Sequence, residues 1–159
     1  MRIYIASDHA GFQLKRQLIQ YLKIKGLEVE DMGAFELDPD DDYPDLIYPC
    51  ALRVAENHAQ GKLDDVGIVI GGSGQGEAIV ANKVKGIRAA VINCPNPQIA
   101  KLAREHNDAN VLSLGARFLS PDEAKRAVTL WLDAKFEGGR HERRLKKIEA
   151  IEDNYVQSH

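Results

Sequence analysis

Cysteine is scarce. Cys50 and Cys94 are the only two in 159 residues, and they lie far apart with no CxxC and no neighbouring Cys/His pattern. That argues against a disulfide-stapled scaffold or a structural zinc site and fits a reducing cytoplasm, where the chain is expected to reside. No apolar run approaches the roughly 18–20 residues of a spanning helix, so no membrane partner is expected. The opening MRIYIASDHAG lacks the apolar core of about 7–15 residues that a secretory leader needs, and none is expected. Nor does one charge dominate: 21 Lys and Arg stand against 24 Asp and Glu, a formal charge of −3. Such a balance exerts no global pull toward nucleic acid or anionic lipid. Internal repeats, low-complexity tracts and long linkers are missing too. The length suits one domain, 1–159, and 44% hydrophobic residues suffice for a core.

What the chain does have is alternation. Short apolar or β-branched runs at 2–6, 27–33, 65–70, 87–93 and 110–114 predict five strands. Between them, helical spacing or composition marks 12–26, 46–60, 77–84, 98–107 and 121–136. Gly26 and Gly61 are natural helix stops, and Pro121 suits a first helical turn. After Gly138 and Gly139 a last, basic helix is predicted to about residue 154. The segment FELDPDDDYPD (35–45) reads as irregular, because its acidic and proline content opposes a regular element. Strands alternating with helices over short connections predict an α/β fold, a doubly wound parallel sheet with a C-terminal helix added.

Ligands of such folds gather at the carboxyl ends of the strands, which singles out 7–11, 71–77 and 115–117. GGSGQGE (71–77) places four glycines and Ser73 between a buried strand and a helix start. It is not a P-loop, which would end in GK[ST]. A dinucleotide fingerprint would need glycine where Glu77 stands. A plain tight turn and an anion- or oxyanion-binding loop both remain open, although four glycines exceed what a turn demands. Glu77 reads equally as an acid favoured in a first helical turn or as a general base beside an oxyanion loop. Asp8, next to His9, is either a helix cap or a ligand of the site. His106 and Asn107 close a helix, where a cation or a cap is ordinary. Arg140 and Arg144 share a helix face and can grip one phosphate, or belong to a solvated basic surface. Leu145, Ile148 and Ile151 make an apolar stripe on that helix, of the kind that docks on a partner subunit. Nucleic acid is the weaker partner, since the basic stretch is short and has no interleaved aromatics.

In combination, SDHAGFQLK, DDYPD, GGSGQGEAIVANKVKGIRAA, LAREHNDANVLSLGAR and FEGGRHERRLKKI resemble the type B ribose-5-phosphate isomerases, a group that includes galactose-6-phosphate isomerase subunits. The resemblance spans nearly the whole chain. It implies a Rossmann-like three-layer αβα sandwich around a five-stranded parallel sheet. The implied activity is interconversion of ribose 5-phosphate and ribulose 5-phosphate through an enediolate, in the pentose phosphate pathway, without metal or cofactor. Asp8 and His9 match contacts to the sugar and its phosphate. Gly72, Ser73, Gly74, Gln75 and Gly76 match the loop whose amides hold the enediolate, with Ser73 able to relay a proton between oxygens. His106 matches the group that opens the furanose ring, and Asn107 one that holds a sugar hydroxyl. Arg117, Arg140 and Arg144 match phosphate ligands, the last two reaching across a homodimer with shared sites; pairing of dimers into tetramers is left open. Tyr43 matches a pocket wall.

Many members carry a cysteine base at the strand end, where this chain has Gly71. The chain instead resembles the branch with GGSGxGE, so Glu77 inherits the role of base. Two other readings stay open: an isomerase of galactose 6-phosphate or another phosphosugar, and a non-catalytic phosphosugar- or nucleotide-binding domain.

Overall fold

Alternate residues of the first strand serve two separate cores. Ile3 and Ile5 belong to one buried cluster, while Tyr4 and Ala6 belong to the other, as the two-residue period of a strand requires. In this computed structural model, which describes residues 1–158, five strands pair in parallel. They are β1 (Arg2–Ser7), β2 (Glu28–Asp31), β3 (Val66–Gly71), β4 (Ala89–Ile92) and β5 (Val111–Gly115), in the order β2-β1-β3-β5-β4. All six residues of β3 are buried, as expected for a central strand covered on both faces.

Helices α1 (Phe12–Ile24), α4 (Gln98–Asn107) and α5 (Pro121–Asp133) cover one face, with Leu14, Leu18, Ala100, Ala124 and Trp131 in its core. On the other face lie α2 (Tyr43–Ala59) and α3 (Gln75–Ala81), whose Ile47, Cys50, Val54 and Ala81 pack on Tyr4, Val69 and Val111. The last helix, α6 (Arg140–Ser158), lies against α4. This is the three-layer α/β sandwich, with six helices among the described residues. None of them is long and apolar enough to cross a membrane.

The register sets Ser7 beside Ile70 and Gly71 beside Gly115, so β1, β3 and β5 end level. From β1 the chain steps to β2 on one side and later to β3 on the other. The connections after β1 and β3 therefore diverge and leave a crevice above the strand ends.

Several boundaries differ from the sequence expectation. Helix α2 begins at Tyr43, inside the segment expected to be irregular, with Asp42 as its N-cap. Pro44 falls in the first turn, where its missing N–H costs no hydrogen bond. Strands β2 and β4 are shorter than expected because each sits at a sheet edge with one neighbour. Helix α3 starts at Gln75, two residues early, and α5 stops at Asp133. Helix α6 continues to Ser158, past the expected end.

Lys15 on α1 is fully buried. Its Nζ donates to Asp31 Oδ1 at 2.6 Å and to Ala34 O at 2.5 Å, pinning the turn after β2. Ser7 N donates to Gly33 O and Ala34 N to Ser7 O, which holds that turn against the end of β1.

Candidate active site

Above the level ends of β3 and β5, the glycine segment has its carbonyls turned back into the protein. Gly71 O accepts from Ala116 N at 2.8 Å and Gly72 O from Arg117 N at 3.0 Å. Ser73 O accepts from Asn93 Nδ2 at 3.1 Å, and Gly74 O from the buried Ser113 Oγ at 2.6 Å. Four carbonyls held inward turn the opposite, N–H side of the loop toward the crevice, the orientation an anion or oxyanion site requires. Gly74 has φ +76°, a left-handed conformation that favours glycine, and a Cβ there would meet the Leu114 backbone at 2.9 Å. Ser73 Oγ accepts from Gln75 N at 3.3 Å, close to the crevice. The Tyr43 ring packs on Gly76, forming one wall.

Glu77 enters this space from the first turn of α3. Its side chain is buried (the residue is 3% exposed), and Oε2 has no hydrogen-bond partner. Burial pushes its carboxyl above the usual carboxylate range, and the nearby charge of Asp8 adds to the effect. The residue that makes room for it is Gly71. A Cβ on Gly71 would coincide with the Glu77 carboxyl. A side chain at position 71 and this placement of Glu77 exclude one another.

Asp8 is buried at the end of β1, and its Oδ1 accepts from Gly11 N at 3.0 Å. It therefore ties down the entry to α1 as well as facing Glu77. His9 follows, with Nδ1 2.6 Å from Asp41 Oδ1, and this contact, above all, raises the imidazole pKa. Arg117 lies over Gly72, its Nη1 3.0 Å from the point a Gly72 Cβ would occupy. The carboxyl edge of the sheet thus gathers Asp8, His9, Gly72, Ser73, Gly74, Gln75, Gly76, Glu77 and Arg117.

It does not gather the others. A helix that follows a strand runs back, so the end of α4 lies by the amino ends of the strands. Asn107 O there accepts from the side chain of Arg88, just before β4. The ring of His106 stacks on that of His141 at 4.3 Å and 8°, which brings the start of α6, with Arg140 and Arg144, to the same place. β5 alone has five residues, or about 16 Å of rise, between the two edges. Asn107 is the last residue of α4 rather than its cap; Asp108 caps the helix at φ 43°. On α6, Leu145 is buried against the chain, whereas Ile148 and Ile151 are 46% and 68% exposed.

Asp41, Glu137 and His141 escape sequence reasoning. Asp41 meets His9, while Glu137 places Oε2 3.9 Å from His106 Nε2 and 3.6 Å from His141 Nε2. No spacing signal joins Asp41 to His9 or Glu137 to His106, which are distant in the chain. Among the described residues, two groups have donors close enough to hold a cation, His106/Glu137/His141 and Asp8/His9/Asp41, each within 4.8 Å. Cys50 is fully buried with its thiol pushed up to about 12, and so is inert.

The family described as Ribose/Galactose Isomerase matches residues 3–148. A probable ribose-5-phosphate isomerase B of Mycoplasma pneumoniae is 47% identical over 150 residues, 94% of each chain. Ribose-5-phosphate isomerase B of Mycoplasma genitalium, solved with bound ribulose-5-phosphate, superposes with a TM-score of 0.89 at 43% identity, covering 96% of each chain. The enzyme of Clostridium thermocellum gives a TM-score of 0.86 at 48% identity, covering 98% of this chain and 99% of that one.

Proposed function

Because the chain belongs to the Ribose/Galactose Isomerase family, we propose that it interconverts ribose 5-phosphate and ribulose 5-phosphate through an enediolate, with Glu77 carrying the proton between C1 and C2. The observation that carries this reading is the Glu77 carboxyl itself, buried, with one oxygen unpartnered, in space that Gly71 leaves beside an amide-lined loop. A C–H next to a carbonyl is too weak an acid for an ordinary carboxylate. Burial strengthens Glu77 as a base, and loop amides from Gly72 to Gly76 lower the energy of the enediolate. One lost donor of this kind costs about 2.7–4 kcal/mol. On this reading Ser73 Oγ passes a proton between the two sugar oxygens, which its position beside the crevice supports. Asp8 orients the sugar, and His9 and Arg117 bind its phosphate, whose remote binding energy positions the reacting carbons.

The second edge enters through a second copy of the chain. His106, as ring-opening group, and Asn107, Arg140 and Arg144 lie too far from Glu77 to act on the same bound sugar in one chain. A homodimer in which each copy lends its amino-terminal edge to the other's crevice completes two sites. Exposed Ile148, rimming a cavity of about 380 Å³ with Ile87, Asn107 and Leu145, supports such a contact. We place the whole chain in one isomerase domain acting in the cytoplasm, in the pentose phosphate pathway.

Incubating the purified protein with ribose 5-phosphate and a chelator, and following ketose formation, tests the reading. Ribulose 5-phosphate is expected in the chelator's presence. Turnover of galactose 6-phosphate alone would move the substrate, and phosphosugar binding without turnover would overturn the enzyme.

A further inference from the structure

The acidic segment before α2 has no part in the reaction described so far, yet one of its carboxylates reaches a residue 32 positions away. Asp41 Oδ1 lies 2.6 Å from His9 Nδ1 and also accepts the His9 main-chain N–H at 3.2 Å. The Asp41 side chain is 10% exposed, and its Oδ2 is buried without a partner. A carboxylate that accepts twice from one residue fixes both its backbone and its ring. Nδ1 must carry a proton, and Nε2 is left for a ligand.

Three charged groups face His9: Asp8 from the end of its own strand, Asp41 from the segment before α2, and Arg117 from the turn after β5. Asp41 and Asp8 favour the charged ring, while partial burial and Arg117 oppose it. A guanidinium and an imidazole set near each other at one crevice are suited to an anion of more than one charge. Without its carboxylate, the imidazole would give up its proton more readily beside Arg117.

We propose that Asp41 is a positioning residue that holds His9 as an imidazolium, so that His9 and Arg117 together present two cations to the phosphate dianion of the sugar. The identity of the ligand rests on the isomerase reading above; the geometry does not. As pH rises through the His9 midpoint, one cation is lost and phosphate binding weakens. Protonation of the substrate phosphate near pH 6 weakens binding on the acid side in every variant alike.

Asp41→Asn keeps an acceptor of the same shape and removes the charge. His9 is titrated by NMR in both proteins, and the Kd for inorganic phosphate and the KM for ribose 5-phosphate are followed from pH 6 to pH 9. The His9 midpoint is expected to fall by about one pH unit. Near pH 6 the two proteins should bind phosphate within about twofold of each other. The variant should bind about threefold more weakly midway between the two midpoints and up to about tenfold more weakly above both, with kcat little changed. An unshifted midpoint, or a loss equal at every pH, would reduce Asp41 to a loop support and overturn the proposal. The unaltered protein gives a second check: its phosphate affinity must fall with the midpoint at which His9 titrates, and separate midpoints are equally fatal. An absence of isomerase turnover with these phosphate results intact would sink the functional reading instead.

Discussion

At the carboxyl edge of the sheet each polar group is held by its own chain: the Glu77 carboxyl by burial under Gly71, the His9 ring by Asp41, the loop carbonyls by Asn93 and Ser113. The amino edge is built differently. Arg140 and Arg144 are exposed there, and the half-exposed His106 ring has, among the described residues, the stacked His141 and a distant Glu137 for company. Groups held from within are set for chemistry on something small that enters. Groups presented outward are set for something the chain itself does not supply, and in the proposed dimer that is the crevice of another copy.

The comparison breaks first at Glu77. Glu77→Gln should lower kcat by about 10³-fold with phosphosugar binding retained; turnover within a few-fold of the parent would remove it as base. Because its folded pKa is raised, the fold favours the protonated form, and stability is lost as pH rises through that pKa. The neutral variant should therefore melt higher than the parent at pH 7, by about 2–4 °C for each kcal/mol relieved. In the parent, activity needs the carboxylate, so the acid limb of kcat should lie above 4.5, the usual value for a glutamate.

Mixing subunits sharpens the contrast between the edges. An Arg140→Ala/Arg144→Ala chain and a Glu77→Gln chain are each expected to be inactive. A mixed dimer has one site with both defects and one with neither. Random pairing at equal amounts should restore roughly a quarter of parental activity. No recovery, with mixed dimers shown by mass spectrometry, would return both edges to separate duties.

Gly71→Ala should cost about 10²-fold in kcat/KM, because its Cβ occupies the place of the carboxyl and displaces the base from a near-attack position. Unchanged kinetics would show that Glu77 works from elsewhere. His106→Asn should impair the cyclic aldose about tenfold more than ribulose 5-phosphate, which cannot close into a furanose; equal losses would give His106 another task. Thiol reagents that modify Cys94 should leave turnover within about twofold, since neither cysteine has a part in the proposed reaction.

Much of the carboxyl edge was legible in the sequence because its determinants are local. Strands β1, β3 and β5 are short apolar runs that end in turn residues, and the glycine loop and Glu77 are contiguous. The start of α2 was not, because Pro44 and its acidic neighbours oppose a helix interior but suit a first turn. Asp41 against His9, and Glu137 against His106, are contacts between residues roughly thirty positions apart, fixed by packing rather than by periodicity. The separation of His106 from Glu77 follows only from strand order and helix direction, which local spacing leaves undetermined.

The space over the end of β3 holds one occupant: a side chain at position 71 would push the Glu77 carboxyl out of the place it fills. On the role proposed for Glu77, a chain carrying both would fold with its base displaced, and a chain carrying neither would have no base there. Exchange of one occupant for the other is then best tolerated as a paired change, so residues 71 and 77 are expected to vary together among relatives.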